Sequence, residues 1–365
     1  MREVEAEDFG CEGCGSQMRY SPARMELLCE YCGNSSPIER EIDRESEELQ
    51  KALARSHWES IEGVQRSVHC PGCGASRKLE AFVVADECEY CSSPLVTEFC
   101  NPEKPGTILP FKVSRAEAHE IFANWIGSLW FAPTRLKALV DKYESLTGYY
   151  LPFHLFSADT LTLYKGERGD AYYENEVVRR VVNGREESSV RRVRRIRWSP
   201  VNGMVSGKFR DLPIAADDTI PMALIERIEP WDSSSTRESD KRYLSGFYAT
   251  EYNRALSQSH KLALEKMRRR IEYDVRRDIG GDEQRVFDMD IHYKEERYRY
   301  TLFPVWTASF RYGGREYRYL INGFNGRVSG ERPYSYIKIA TAILVVLSIL
   351  AVIAYWENIR ELFSL

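Results

Sequence analysis

The chain has 365 residues, 43% of them hydrophobic and 29% charged, with a formal net charge of −4 and a mean hydropathy of −0.46. This composition excludes a disordered chain and fits a soluble body of two or three domains carrying one anchor. The small total hides a split: residues 1–103 hold ten Lys/Arg against twenty-one Asp/Glu, net −11, whereas residues 176–210 hold ten against three, net +7.

No apolar stretch follows Met1, so no N-terminal signal is expected. Cys11-Glu-Gly-Cys14 is followed after fourteen residues by Cys29-Glu-Tyr-Cys32, and Cys70-Pro-Gly-Cys73 after fourteen residues by Cys88-Glu-Tyr-Cys91. A two-residue gap lets both thiolates of a knuckle face one tetrahedral ion, and Gly15, Gly33 and Gly74 permit the tight turn that follows. Two knuckles close a four-cysteine site without an open position. The sequence therefore predicts two structural Zn2+ sites, in a ribbon over 1–37 and a second over 66–100. Each ribbon is too small for its own core, so metal should supply on the order of 10 kcal/mol of its folding free energy. Cys100 is left over and reads as an idle thiol. Zinc ribbons often bind nucleic acid, but the acidic charge of this segment would repel phosphate, so protein-binding modules are expected.

The linker 38–65 contains Glu39 to Trp58, which has helical character with Ile42, Leu49 and Leu53 on one side, and reads as an exposed linking helix or as a ligand for a partner's groove. Asn101 to Pro110, with three prolines, opens a body over 101–335. Ser114 and Glu117 form a capping box before a helix to about Ser128, and Thr134 to Ser145 reads as a second helix. Trp125, Trp130 and Phe131 read as packing rather than as a cofactor cage.

From Tyr149 the pattern turns to strands, with Asn183-Gly184 as a hairpin signal. Val190 to Trp198 carries Arg191, Arg192, Arg194, Arg195 and Arg197, either as a solvated strand face pairing across strands or as a contact for lipid headgroups or RNA. Glu251 to Asp278 reads as the longest helix, about 42 Å, packing a stripe of Tyr252, Leu256, Leu262, Met267, Ile271 and Val275 on the sheet before Gly280-Gly281 stops it. Strands resume to the turn-rich Asn322-Gly-Phe-Asn-Gly326. Leu151-Pro-Phe-His154 and Phe303-Pro-Val-Trp306 echo one another weakly.

Ile339 to Trp356 contains no charge, and at about 1.5 Å per residue it covers roughly 27 Å of a ~30 Å hydrocarbon core. A transmembrane helix over 336–357 is expected, with a short external tail at 358–365. Arg315, Arg318, Arg327, Arg332 and Lys338 precede the span and Arg360 follows it, which predicts a single-pass protein of the inner membrane with its body in the cytoplasm. The fold class expected is α+β: two N-terminal four-cysteine zinc ribbons, an antiparallel β-rich body with a long amphipathic helix, and one C-terminal transmembrane helix.

The duplicated knuckles, Tyr150-Leu-Pro-Phe153, Tyr243-Leu-Ser-Gly-Phe247, Leu302-Phe-Pro-Val-Trp306 and Gly330-Glu-Arg-Pro333 before the terminal helix resemble a bacterial family. Its members are membrane-anchored zinc-ribbon proteins encoded beside SPFH/flotillin-like and phage-shock-protein-A-like proteins (YdjG-like). The resemblance covers nearly the whole chain and implies a cytoplasmic scaffold that recruits such stress or membrane-microdomain partners to the bilayer. Relatives carry replication-helicase labels, but no G-x-x-x-x-G-K-[ST] loop is present.

A non-enzymatic adaptor is the expectation from the residues and the resemblance together. Its competitor is a nucleic-acid-binding zinc-ribbon protein, associated with replication or transcription, using the five arginines. Neither H-E-x-x-H nor G-x-S-x-G occurs and the six histidines are scattered; His154, in the proline-aromatic strand, is the one of interest.

Overall fold

The structure, a computed structural model, describes residues 2–38, 46–55, 66–80, 82–133, 146–182 and 185–363. The N-terminal part begins with β1 (Arg2–Glu5), followed by a three-stranded antiparallel sheet of β2 (Arg19–Ser21), β3 (Glu26–Leu28) and β4 (Ser35–Pro37). Then come β5 (Glu47–Glu48), α1 (Leu49–Arg55), β6 (Arg66–His69), β7 (Ser76–Leu79), β8 (Val83–Glu87) and β9 (Pro94–Val96). β1 pairs in parallel with β6, so the strand before the first cysteine module is completed by the second. The described part of the linker is not an exposed helix: Leu49 and Ala52 of α1 are buried, and β5 pairs with Arg297 and Tyr298 of the body. Its Leu49 belongs to the main core because the pairing of β5 brings it there; Ile42 lies outside the described residues.

The body comprises β10 (Thr107–Ile108), α2 (Arg115–Ser128), β11 (Thr147–Val182), β12 (Arg185–Ala215), α3 (Met222–Arg227), β13 (Arg237–Glu238), β14 (Tyr248–Thr250) and α4 (Leu256–Ile279). After these follow β15 (Glu283–Tyr312), β16 (Arg315–Asn322), β17 (Val328–Gly330) and α5 (Tyr336–Phe363). The fold is mixed α+β and sheet-rich. Three strands dominate it: β11, β12 and β15 run for 36, 31 and 30 residues. At about 3.3 Å per residue each approaches or exceeds 100 Å of contour. β11 lies between the other two and pairs antiparallel with both. It leaves β15 at Gly169 and continues with β12 alone, as a two-stranded ribbon, until Val182 meets Arg185. That meeting fits the two-residue turn expected at Asn183-Gly184, which itself lies outside the described residues. The body is not wholly antiparallel, since the short pairs β10–β15 and β11–β14 are parallel.

Capping fixes α2 as expected: the Ser114 hydroxyl accepts from the Glu117 N–H, and the Glu117 carboxylate accepts from the Ser114 N–H at 2.7 Å. The expected helix over 134–145 lies outside the described residues. α4 starts at Leu256, not at Glu251, because the preceding backbone is held elsewhere. Glu251 N–H donates to the Phe82 carbonyl, and Asn253 and Arg254 N–H both donate to the Ala216 carbonyl. Its stripe of Leu256, Ala263, Met267, Ile271, Val275 and Ile279 is buried. The last three pack on Tyr164, Val201, Val205, Val286 and Ile291 of the long sheet. Gly280, at φ 66°, ends the helix. With 28 residues, α5 rather than α4 is the longest helix.

The two echoing segments lie opposite one another: Tyr150 faces Pro304, Leu151 faces Phe303 and Pro152 faces Leu302. Around them Phe111, Tyr150, Phe247 and Trp306 pack at 4.3–5.8 Å between ring centroids, Phe111 stacked on Phe247 and Tyr150 edge-on to both. The first cysteine module feeds this core directly. Its buried Tyr20 packs edge-on against Tyr243 at 5.1 Å and donates its hydroxyl proton to the Phe111 carbonyl at 3.0 Å.

Candidate functional site

The fold brings the eight knuckle cysteines into two groups, Cys11, Cys14, Cys29 and Cys32, and Cys70, Cys73, Cys88 and Cys91. Within each group the four sulfurs lie within 4.8 Å of one another. Cys11 to Cys32 and Cys14 to Cys29 are 3.5 Å apart, Cys70 to Cys91 is 3.5 Å and Cys73 to Cys88 is 3.8 Å. A disulfide needs about 2.05 Å. A tetrahedral ion with sulfurs at about 2.3 Å needs edges of roughly 3.8 Å, so each group can hold one metal ion with all four positions filled by protein. Cys100 lies outside both groups.

Local backbone chemistry builds the cages. Gly15, Gly33 and Gly74 take φ of 74–78° after their knuckles, and their N–H groups donate to the carbonyls of Cys11, Cys29 and Cys70. The fourth knuckle uses Ser92 at φ 56° for the same bond to Cys88. Three thiols are held low: the Gly13 N–H lowers Cys11, and the Ser16 side chain and N–H bring Cys14 to about 6. For Cys91 the Ser93 side chain does most of the same, also to about 6. Cys70, by burial first and then by its thiol neighbours, is pushed up to about 12. Four sulfurs this close cannot all ionise without a cation among them. Ser16 and Ser93 each lie two residues beyond the cysteine they serve, Cys14 and Cys91, and this shared spacing is the sequence signal for them.

Neither cysteine module is a detachable bead. β8 of the second pairs with β14 of the body, so β8 and β9 extend the main sheet. The first module is fixed through Tyr20 and through Ser245, whose hydroxyl donates to the Met18 carbonyl at 2.7 Å. Arg19 joins the two modules: its guanidinium pairs with Glu30 at 3.5 Å, and with Glu87 and the Ser92 carbonyl of the second module. The knuckles Cys29-Glu-Tyr-Cys32 and Cys88-Glu-Tyr-Cys91 therefore flank a shared arginine. Tyr31 and Tyr90, at the same place in each, are 84% and 75% exposed. The duplicated Glu-Tyr pair was the available signal for this surface.

The five arginines lie where β12 faces residues 170–176 of β11. Alternation puts Arg191, Arg195 and Arg197 on one face and Arg192 and Arg194 on the other. Arg195 pairs with Glu174 at 3.6 Å and with Glu176, and Arg194 pairs with Glu283 at 3.2 Å. Arg192 lies 4.4 Å over the Tyr173 ring and Arg197 5.2 Å over Tyr172. They do not converge on one pocket. His154 is fully buried among Phe156, Tyr252, Tyr298 and Tyr300; burial, then Arg254, lowers it to about 3, and among the described residues neither ring nitrogen has a hydrogen-bond partner.

At the opposite end of the sheet, α5 is long and apolar enough to cross a membrane: Tyr336–Ile353 has a mean hydropathy of 2.5 and none of it is buried. The hydroxyls of Thr341 and Ser348 donate to the carbonyls four residues earlier, at 2.7 and 2.8 Å, leaving no unsatisfied donor on those side chains. Its root is tied to the segment after α2, where Lys338 Nζ donates to the carbonyls of Trp130 and Ala132 and Ser335 N–H to that of Phe131. Trp125 packs with Phe122 and Tyr319 as expected, but Trp130 is 79% exposed beside this root and is not packing.

The chain is similar to the uncharacterized protein YdjG of Bacillus subtilis (strain 168), with 25% identity over 335 residues, 91% of this chain and 92% of that protein. The similarity thus runs through the long sheet and is not confined to the cysteine motifs. No family model matches the chain, and no solved structure matches it.

Proposed function

We propose that this protein is a non-enzymatic, membrane-tethered adaptor. Zn2+ in both four-cysteine sites shapes one surface, and that surface recruits cytoplasmic protein partners to the inner membrane. The observation that carries the reading is the pairing of the two Cys-Glu-Tyr-Cys knuckles about Arg19, with Tyr31 and Tyr90 exposed. Tyrosines on a rigid turn are efficient interface anchors, and the ring faces of Tyr31 and Tyr90, with Glu30 and Glu89 beside them largely exposed although paired with Arg19 and Arg77, favour a partner bearing Lys or Arg. Closed tetrathiolate sites leave no coordination position for substrate, which supports a structural rather than a catalytic metal. The basic residues that precede α5 support a body on the cytoplasmic side. The resemblance adds SPFH/flotillin-like or phage-shock-A-like proteins as partners, and envelope stress or membrane-microdomain organisation as the setting. Against the nucleic-acid reading stand the acidic charge of the cysteine modules and the engagement of four of the five arginines within the sheet.

Deleting residues 1–103 would not test this cleanly, because it removes Tyr20 and Leu49 from the core and β8 from the sheet. The double variant Tyr31→Ala/Tyr90→Ala does. Isolation of the full chain from bacterial membranes should recover at least about tenfold less partner with this variant, at about 1–2 kcal/mol per anchor. Metal content and membrane insertion should be unchanged. Equal recovery refutes the knuckle surface.

A further inference from the structure

A cleft of about 530 Å3 opens beside the root of α5, between Trp125, Arg227, Ser329, Glu331, Arg332 and Tyr334. We propose that it binds the phosphodiester headgroup of an anionic phospholipid, a role that rests on the reading of α5 as a membrane anchor. Its volume falls within the roughly 300–1,000 Å3 of small-molecule sites. Arg227, at the C-terminus of α3, is exposed and makes no ion pair or hydrogen bond with the described residues. Arg332 is oriented by Tyr334: its Nε donates to the phenol oxygen at 3.2 Å and its guanidinium lies 5.4 Å from the ring centroid, leaving the Nη donors for a ligand. Two guanidinium groups suit a phosphodiester, whose two non-bridging oxygens share one negative charge and can each accept from a guanidinium. Glu331 completes the set as the acceptor for headgroup hydroxyls and itself accepts the Arg318 N–H at 3.4 Å.

Position decides between this cleft and the arginines of β12. The cleft lies at the end of the sheet where Trp130, Tyr334 and Tyr336 are 79%, 51% and 84% exposed, an aromatic collar of the kind found at headgroup level. Arg318, bonded to Glu331, faces Ser309 of β15, whereas Arg194 pairs with Glu283 at the other end of that strand. Between Ser309 and Glu283 lie roughly 85 Å of strand contour at about 3.3 Å per residue. Lys338 is already committed to the Trp130 and Ala132 carbonyls, and among the described residues that line the cleft Arg227 and Arg332 are the cations.

The test uses the full chain in nanodiscs of phosphatidylcholine containing phosphatidylglycerol, re-extracted in mild detergent, with co-purified lipid counted by mass spectrometry. Wild type should retain phosphatidylglycerol over phosphatidylcholine, and Arg227→Ala/Arg332→Ala should lose that preference by about tenfold or more. Arg227→Lys/Arg332→Lys should keep part of it. Equal retention of the two lipids by wild type, or an undiminished preference in the alanine variant, overturns the proposal. So does displacement of the lipid by micromolar sn-glycerol 1-phosphate, which would assign the cleft to a soluble phosphate. Extraction of wild type from membranes by alkaline carbonate would instead overturn the anchor reading, and both variants should resist it as wild type does.

Discussion

Replacing Glu251 should detach the second cysteine module from the body, and the structure sets the size of the effect. Glu251 and Arg66 are each 1% exposed and 3.9 Å apart. The two carboxylate oxygens accept the N–H groups of Cys100 and Asn101 at 2.5 Å, while Arg66 donates to the Glu98 carbonyl at 3.0 Å and to that of Val83. Burial pushes the Glu251 carboxyl up, against the lowering by those two N–H groups and Arg66. Desolvation alone would make a neutral replacement harmless. Geometry argues otherwise: in Glu251→Gln the amide NH2 faces a backbone N–H, leaving a buried donor unpaired at about 1–3 kcal/mol. In Glu251→Ala both N–H groups lose their acceptor and Arg66 loses its buried counter-charge, a change of about 3–5 kcal/mol. Urea unfolding of the full chain in mild detergent, followed by tryptophan fluorescence, should therefore rank alanine below glutamine and glutamine below wild type. An alanine variant within about 0.5 kcal/mol of wild type would show that the pair is not a pin.

Elemental analysis should return two zinc ions per chain, and Cys29→Ser should remove one while the second site stays filled; one ion or none in the wild type contradicts the paired cages. Truncation after Arg332 should release a folded body from membranes, and a truncated chain that still sediments with them after a high-salt wash would reveal a second hydrophobic attachment. His154 has its folded value lowered to about 3, below the ordinary imidazole value, so its contribution to stability is present above pH 6.5 and is lost as pH falls towards 3. Relative to His154→Gln, wild type should lose about 1.4 kcal/mol per pH unit below pH 6.5, measured by urea unfolding at matched pH. Parallel curves would place an ionisable partner beside the ring.

The elements legible in the sequence were those whose chemistry is local. Knuckle spacing marked the cysteine groups, Ser114 and Glu117 marked the start of α2, and an uncharged run marked α5. The length of the three central strands was not legible, because glycine ordinarily weakens a strand pattern, whereas here glycines serve close packing. A side chain at Gly203 would sit 2.3–2.7 Å from Tyr164, and one at Gly169 would meet the Trp198 ring at 2.9 Å. The start of α4 was misplaced because Glu251 to Arg254 have helical composition but are held by residues far away in sequence: Phe82, Cys100, Asn101 and Ala216. The joining of the two cysteine modules is hidden in the same way, since Arg19 and Glu87 are 68 residues apart in the sequence.

The adaptor reading is tested most directly by photo-crosslinking in intact cells, with a benzophenone amino acid placed at Tyr31, at Tyr90, and at the exposed Tyr273 of α4 as a control. The account predicts adducts with the same protein partner from positions 31 and 90 and none from 273. Absence of protein adducts at both knuckles, or adducts with nucleic acid there, would contradict it.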